Sequence, residues 1–195
     1  MQDVRGNPVS TTSHDALIHA ERALWRMMSF YGTPFEALDA ASAADPAWPL
    51  PPLMKAGFLL SLTEPALRVD AKAEIERADA LRSRANARER EHLAALHRLL
   101  VGDWHGACRE WEALLLQHPR DALALQWAHL FDFYRGDLVQ LAGRVAPLVA
   151  AWPDDDPLHP YVLALHAFGL EESGRYGDAE ATGRRALAAD ARVPW

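Results

Sequence analysis

Gly102-Asp103-Trp104 followed by Gly106-Ala107-Cys108-Arg109-Glu110-Trp111-Glu112-Ala113-Leu114-Leu115 is the stretch that decides the fold. A helix ends at Leu99-Leu100-Val101, the chain turns at the glycine, and a second helix runs on until His118-Pro119. Two later segments follow the same plan. One turns at Gly136-Asp137-Leu138 and stops at Trp152-Pro153. The other turns at Gly174-Arg175-Tyr176, continues through Asp178-Ala179-Glu180 to Ala186-Leu187, and closes at Asp190, near Pro194. Gly102 to Gly136 is 34 residues, and so is Pro119 to Pro153. Gly136 to Gly174 is 38, a four-residue insertion that fits Asp154-Asp155-Asp156-Pro157.

Two helices on a period of 34 is the tetratricopeptide spacing. Each recurring residue has a physical reason to recur. Glycine after the first helix can take the left-handed conformation that ends it. Ala107 and Ala179 are small enough for two helices to approach closely. The terminal proline cannot continue a helix interior. One hairpin cannot bury its apolar face alone, so neighbours must stack. The expected fold is therefore all-α, a tetratricopeptide-like α-solenoid of antiparallel helix pairs. Residues 1–12 are expected as an extended lead-in, 13–87 as divergent N-terminal helical hairpins, and 88–195 as three repeats, in one continuous solenoid domain.

Composition agrees. The chain has 195 residues, half of them hydrophobic, enough for a sizeable core. Ala and Leu dominate, and strand-forming runs are scarce. Net charge is −7. Residues 1–60 carry four basic and six acidic side chains, 61–110 nine of each, and 111–195 seven and twelve. No basic stripe is present to meet phosphates, so nucleic acid is not an expected partner. The one cysteine, Cys108, cannot form an intramolecular disulfide and is expected as a buried structural thiol. Met1 to Ser10 lacks the apolar core of a signal peptide. No apolar run approaches the roughly 18 residues that span a bilayer. A cytoplasmic protein with no membrane partner is expected.

Outside the repeats, Ser13 to Phe30 and Pro34 to Ala44 are expected as a helical hairpin, with N-cap hydroxyls in Ser10-Thr11-Thr12-Ser13. Trp48-Pro49-Leu50-Pro51-Pro52 is expected as a rigid linker, with helices over Leu53–Leu62 and Ala66–Arg82 after it. Asn86 with Glu89 reads as a capping box. The last repeat finishes near Asp190 with no polar capping element after it. This implies either a fragment or an end covered by a second copy, in a two-fold dimer through the C-terminal helix pair.

Sites are harder to find. Of nine histidines, His14/His19 and His92/His97 are five apart, a poor fit to one helix face. His129 and Asp132 are spaced to meet, and His159 and His166 share a face two turns apart. No metal, cofactor or catalytic group is expected from these patterns. Ser29, Ser61 and Ser173 lack a strand-to-helix elbow. Asp154-Asp155-Asp156 lacks the spaced ligands of a calcium loop. The better signal is a surface. By the 34-residue register, His92, Leu96, Leu99, Gln126, Leu130, Phe133, Tyr134, Tyr161 and Phe168 face the concave groove. Such an apolar, aromatic set suits a binding groove, or else a groove that other helices of the chain fill. The polar residues that clamp a peptide carboxylate are replaced here by His92, Leu96, Gln126 and Leu130.

Several stretches resemble the tetratricopeptide repeat protein 38 family: Pro8-Val9-Ser10-Thr11-Thr12-Ser13, Arg88-Glu89-Arg90-Glu91-His92-Leu93, the Gly102 to Pro119 elements, Asp121-Ala122-Leu123-Ala124-Leu125 and His166-Ala167-Phe168-Gly169-Leu170-Glu171-Glu172-Ser173-Gly174. Members are longer, so the resemblance implies a match to their N-terminal part. It implies a scaffold and no established reaction. The expected function is a non-catalytic protein-interaction scaffold, taking a protein or peptide or a second copy of itself in the groove. The alternative is a small-molecule-binding or enzyme-supporting part of a longer helical-repeat protein.

Overall fold

The computed structural model describes residues 1–194. It is all-α: α1 (His14–Ser29), α2 (Phe35–Ala44), α3 (Leu50–Ser61), α4 (Arg68–Ala80), α5 (Ala87–Leu100), α6 (Trp104–Gln117), α7 (Ala122–Tyr134), α8 (Leu138–Gly143), α9 (His159–Glu172) and α10 (Tyr176–Ala189). Short 3₁₀ turns cover Pro65–Leu67 and Val149–Ala151. Consecutive helices pack as antiparallel pairs, and successive pairs stack along the chain as an α-solenoid.

Local chemistry sets the helix limits. The turn glycines Gly102, Gly136 and Gly174 all have left-handed backbone, φ 85°, 67° and 75°. Asp103, Asp121 and Asp137 then cap the following helices, each accepting a backbone N–H three residues on. Asn86 and Glu89 form the reciprocal capping box at α5.

The structure departs from expectation in three places. Helix α3 starts at Leu50, not Leu53, so Trp48–Pro52 is not a linker. Pro51 and Pro52 lie in the first turn, where no intrahelical N–H is needed, and Trp48 is buried. The second helix of the middle repeat ends early, at Gly143. Pro147 lies four residues on, and its ring clashes with the carbonyl at that spacing. Finally, residues 1–12 form a folded loop rather than an extended lead-in. Gln2 and Pro8 form a bridge. Arg5 pairs with Glu21 at 2.6 Å, Asn7 Nδ2 donates to Arg120 O, and Thr11 Oγ1 donates to Asp45. The Ser10 N–H donates to Glu89, which also accepts from the indole of Trp48.

These stitches hold α1 and α3 against α7, the middle helix of the groove wall. Gly57 of α3 makes this possible. A Cβ there would lie 2.1 Å from Cζ2 of Trp127. Trp127 in turn packs on Trp111, with ring centroids 5.6 Å apart. The concave face is therefore largely filled by the chain's own N-terminal helices.

Candidate functional site

Filling the groove divides the nine groove positions. His92, Leu96, Leu99, Gln126, Leu130 and Tyr161 are buried. Phe133 and Tyr134 stay 39% exposed, and Phe168 is half-buried.

Most of the buried set serves the fold. His92 Nε2 lies 2.9 Å from Asp121 Oδ2, and Arg88 Nε donates to the same oxygen at 2.6 Å. Burial alone would raise the Asp121 pKa, but Arg88 and His92 outweigh it and hold the carboxyl well below its usual value. Leu96 and Leu99 join the core. Tyr161 donates to Asp190 at 3.0 Å. Arg192, beside Asp190, sits 5.2 Å over the ring of Trp25 in α1, so the last turn folds back onto the first helix.

His129 and Asp132, which are spaced to meet, each have other partners. Asp132 is taken by Arg135 at 2.5 Å and Arg144 at 2.7 Å. His129 instead meets the ring of Phe168, 5.9 Å away. Burial, with Arg144 and His166 nearby, pushes its pKa down to about 3. Cys108 is buried as expected, and burial pushes its thiol up to about 12.

Two concavities border the exposed groove positions. The first is a cavity of about 230 Å³ where α1 and α3 meet α7, walled by Met27, Phe30, Phe58, Leu62, Trp127 and Leu130 among others, with Gln126 among its polar groups. The second is an open trough of about 410 Å³ between α9 and α10, lined by Ala167, Phe168, Glu171, Tyr176, Ala179, Glu180 and Gly183. A run of rings lies between them. Tyr134 and Phe133 are 5.9 Å apart, and Phe133 meets Phe168 edge-on at 5.2 Å. Phe168 lines the trough, opposite the exposed Tyr176.

The sequence register identifies Phe133, Tyr134 and Phe168 but misses Tyr176, which opens a second helix, and Phe30 and Leu62, which lie outside the repeats. Among the described residues, no group of three or more His, Cys, Asp or Glu is arranged to hold a metal ion. No described helix is long and apolar enough to cross a membrane. The chain matches no protein-family model, and comparison with solved structures gives no match.

Proposed function

We propose that the protein is a non-catalytic, cytoplasmic interaction scaffold that docks an amphipathic helical segment of a partner along the ring run and the α9–α10 trough. The observation that carries this reading is the unbroken series Tyr134–Phe133–Phe168, left on the surface where the groove is not filled and continuing into an open trough. Half-exposed aromatic rings are strong anchors because they bury large area with few rotatable bonds. The helix-in-groove mode supplies such a ridge of apolar side chains. Glu171 and Glu180 border the trough, so cationic residues flanking the partner's ridge are the electrostatic match. The resemblance to the tetratricopeptide repeat protein 38 family supports the same reading, since it too implies a scaffold.

Photocrosslinking in cells tests it. A benzophenone side chain replacing Phe133 should yield a discrete adduct with one partner. The adduct should be lost on Phe168→Ser and weakened by Glu171→Lys, while a probe at the exposed Val101 gives none. An adduct only with a second copy of the chain, or one insensitive to both substitutions, would overturn the reading.

A further inference from the structure

We propose that the cavity between α1, α3 and α7 is a binding site for a small aromatic molecule carrying one hydrogen-bond donor. This site lies on the other side of Tyr134 from the trough and stands independently of the docking surface.

Size and lining come first. A volume of about 230 Å³ is somewhat larger than the roughly 150 Å³ of an apolar cavity that binds benzene. That is the scale of one ring or a small fused pair. Phe30, Phe58 and Trp127 offer ring faces or edges, and Met27, Leu62 and Leu130 supply aliphatic surface. Phe30 and Leu62 are 50% and 43% exposed, which places them at the mouth.

The polar groups of the wall then set the chemistry. Arg26 donates to Thr33 O at 2.8 Å. Tyr134 donates to Ser61 O at 3.0 Å, and Ser61 Oγ donates to Phe58 O at 2.7 Å. The Tyr134 and Ser61 hydroxyls are thereby engaged within the chain, as is one N–H of Arg26. Gln126 differs. It is 2% exposed, it lines the cavity, and its Oε1 has no hydrogen-bond partner. A buried acceptor left without a donor is costly, so a guest that brings an N–H or O–H gains from it, and one that lacks it does not. The two helices that wall the mouth also end at unusual backbone. Phe30 after α1 and Thr63 just past α3 have φ 55° and 56°. They are the non-glycine residues with positive φ among those described, and such outliers collect at ligand sites.

Indole and benzothiophene, equal in shape and different in the N–H, make the test. The full chain, isotope-labelled, is titrated with each by NMR. The expected result is a set of shifts confined to Gln126, Trp127, Leu130 and their neighbours, with indole bound about tenfold tighter than benzothiophene. Gln126→Leu should bring the two within about twofold. Leu62→Trp, placed at the exposed mouth where folding is not at stake, should block both. No shift at these residues, an indole preference that survives Gln126→Leu, or binding that survives Leu62→Trp would each overturn the proposal. If Gln126→Leu does not fold, Leu62→Trp decides alone.

Discussion

Gly57→Ala tests whether the groove is filled. In an open helix this substitution stabilises by about 1 kcal/mol, because alanine is the better helix former. Here the new Cβ would stand 2.1, 2.5 and 2.6 Å from three ring carbons of Trp127. Ordinary carbon contact needs about 3.5 Å, so the ring or the helix must move by roughly an ångström. The ring has little room, since Trp127 is 2% exposed and packed between Trp111 and His92, with centroids at 5.6 and 5.8 Å. Overpacking of this kind costs about 1–3 kcal/mol. At the upper end, less the propensity gain, the net loss is about 2 kcal/mol. For a chain of this size that lowers the thermal midpoint by about 4–8 °C. Circular dichroism melts of the two proteins measure it. Trp127→Leu supplies the control: once the ring is gone, Gly57→Ala should be neutral or stabilising. A midpoint that rises by about 2–4 °C in the wild-type background would refute the packing of α3 on α7, and with it the filled groove.

Asp121→Ala leaves the Arg88 guanidinium buried without its carboxylate, and should cost about 3–5 kcal/mol in urea unfolding at neutral pH. The Asp121 pKa is lowered on folding. Its contribution is therefore full above the unfolded value of about 4 and is lost as pH falls through the folded one, so variant and wild type should converge in strong acid. His129 works in a different window. Unfolding lets it bind a proton near pH 6.5 that the folded chain, with a pKa of about 3, rejects. Stability is then full above pH 6.5 and falls by up to about 1.4 kcal/mol per pH unit below it. His129→Phe should flatten this part of the profile, and an unchanged slope would remove His129 as its source. Cys108, with its thiol at about 12, should resist iodoacetamide at pH 8 until urea opens the core; alkylation in the native state at the rate of a free thiol would contradict its burial.

Much of the fold is legible in the sequence because its determinants are local. A glycine that must be left-handed, an aspartate three residues before the N–H it caps, and a period of 34 all act within one hairpin. At α8 the repeat register misleads: it carries the helix on to Trp152-Pro153, although Pro147, four residues after Gly143, disfavours its continuation. Pro51 and Pro52 mislead in the opposite direction, since proline starts a helix as readily as it breaks one. Residues 1–12 could not be placed from their own composition. Their structure comes from partners far along the chain, Arg120 for Asn7, Glu89 for Ser10 and Asp45 for Thr11. The groove positions show the same divide. Register gives the face on which Leu96 or Gln126 lies, but it carries no information about what packs over that face.

The cavity beside Gln126 and the ring run have one geometric origin. Helices α1 and α3 cover α7 only as far as they extend, and they end at Ser29 and Ser61. The left-handed residues Phe30 and Thr63 lie just past those ends, where the covering helices give way to turns. Beneath them α7 continues to Tyr134, whose hydroxyl bonds to Ser61 O, one of the last carbonyls of α3. A helix C-terminus has such carbonyls without intrahelical partners, so Tyr134 serves the fold with its oxygen and the surface with its ring. The space at the ends of α1 and α3 is the cavity beside Gln126, and the last turn of α7 beyond them carries Phe133 and Tyr134. Because the N-terminal helices occupy the groove, its open space and half-exposed rings lie at the rim, where their cover stops.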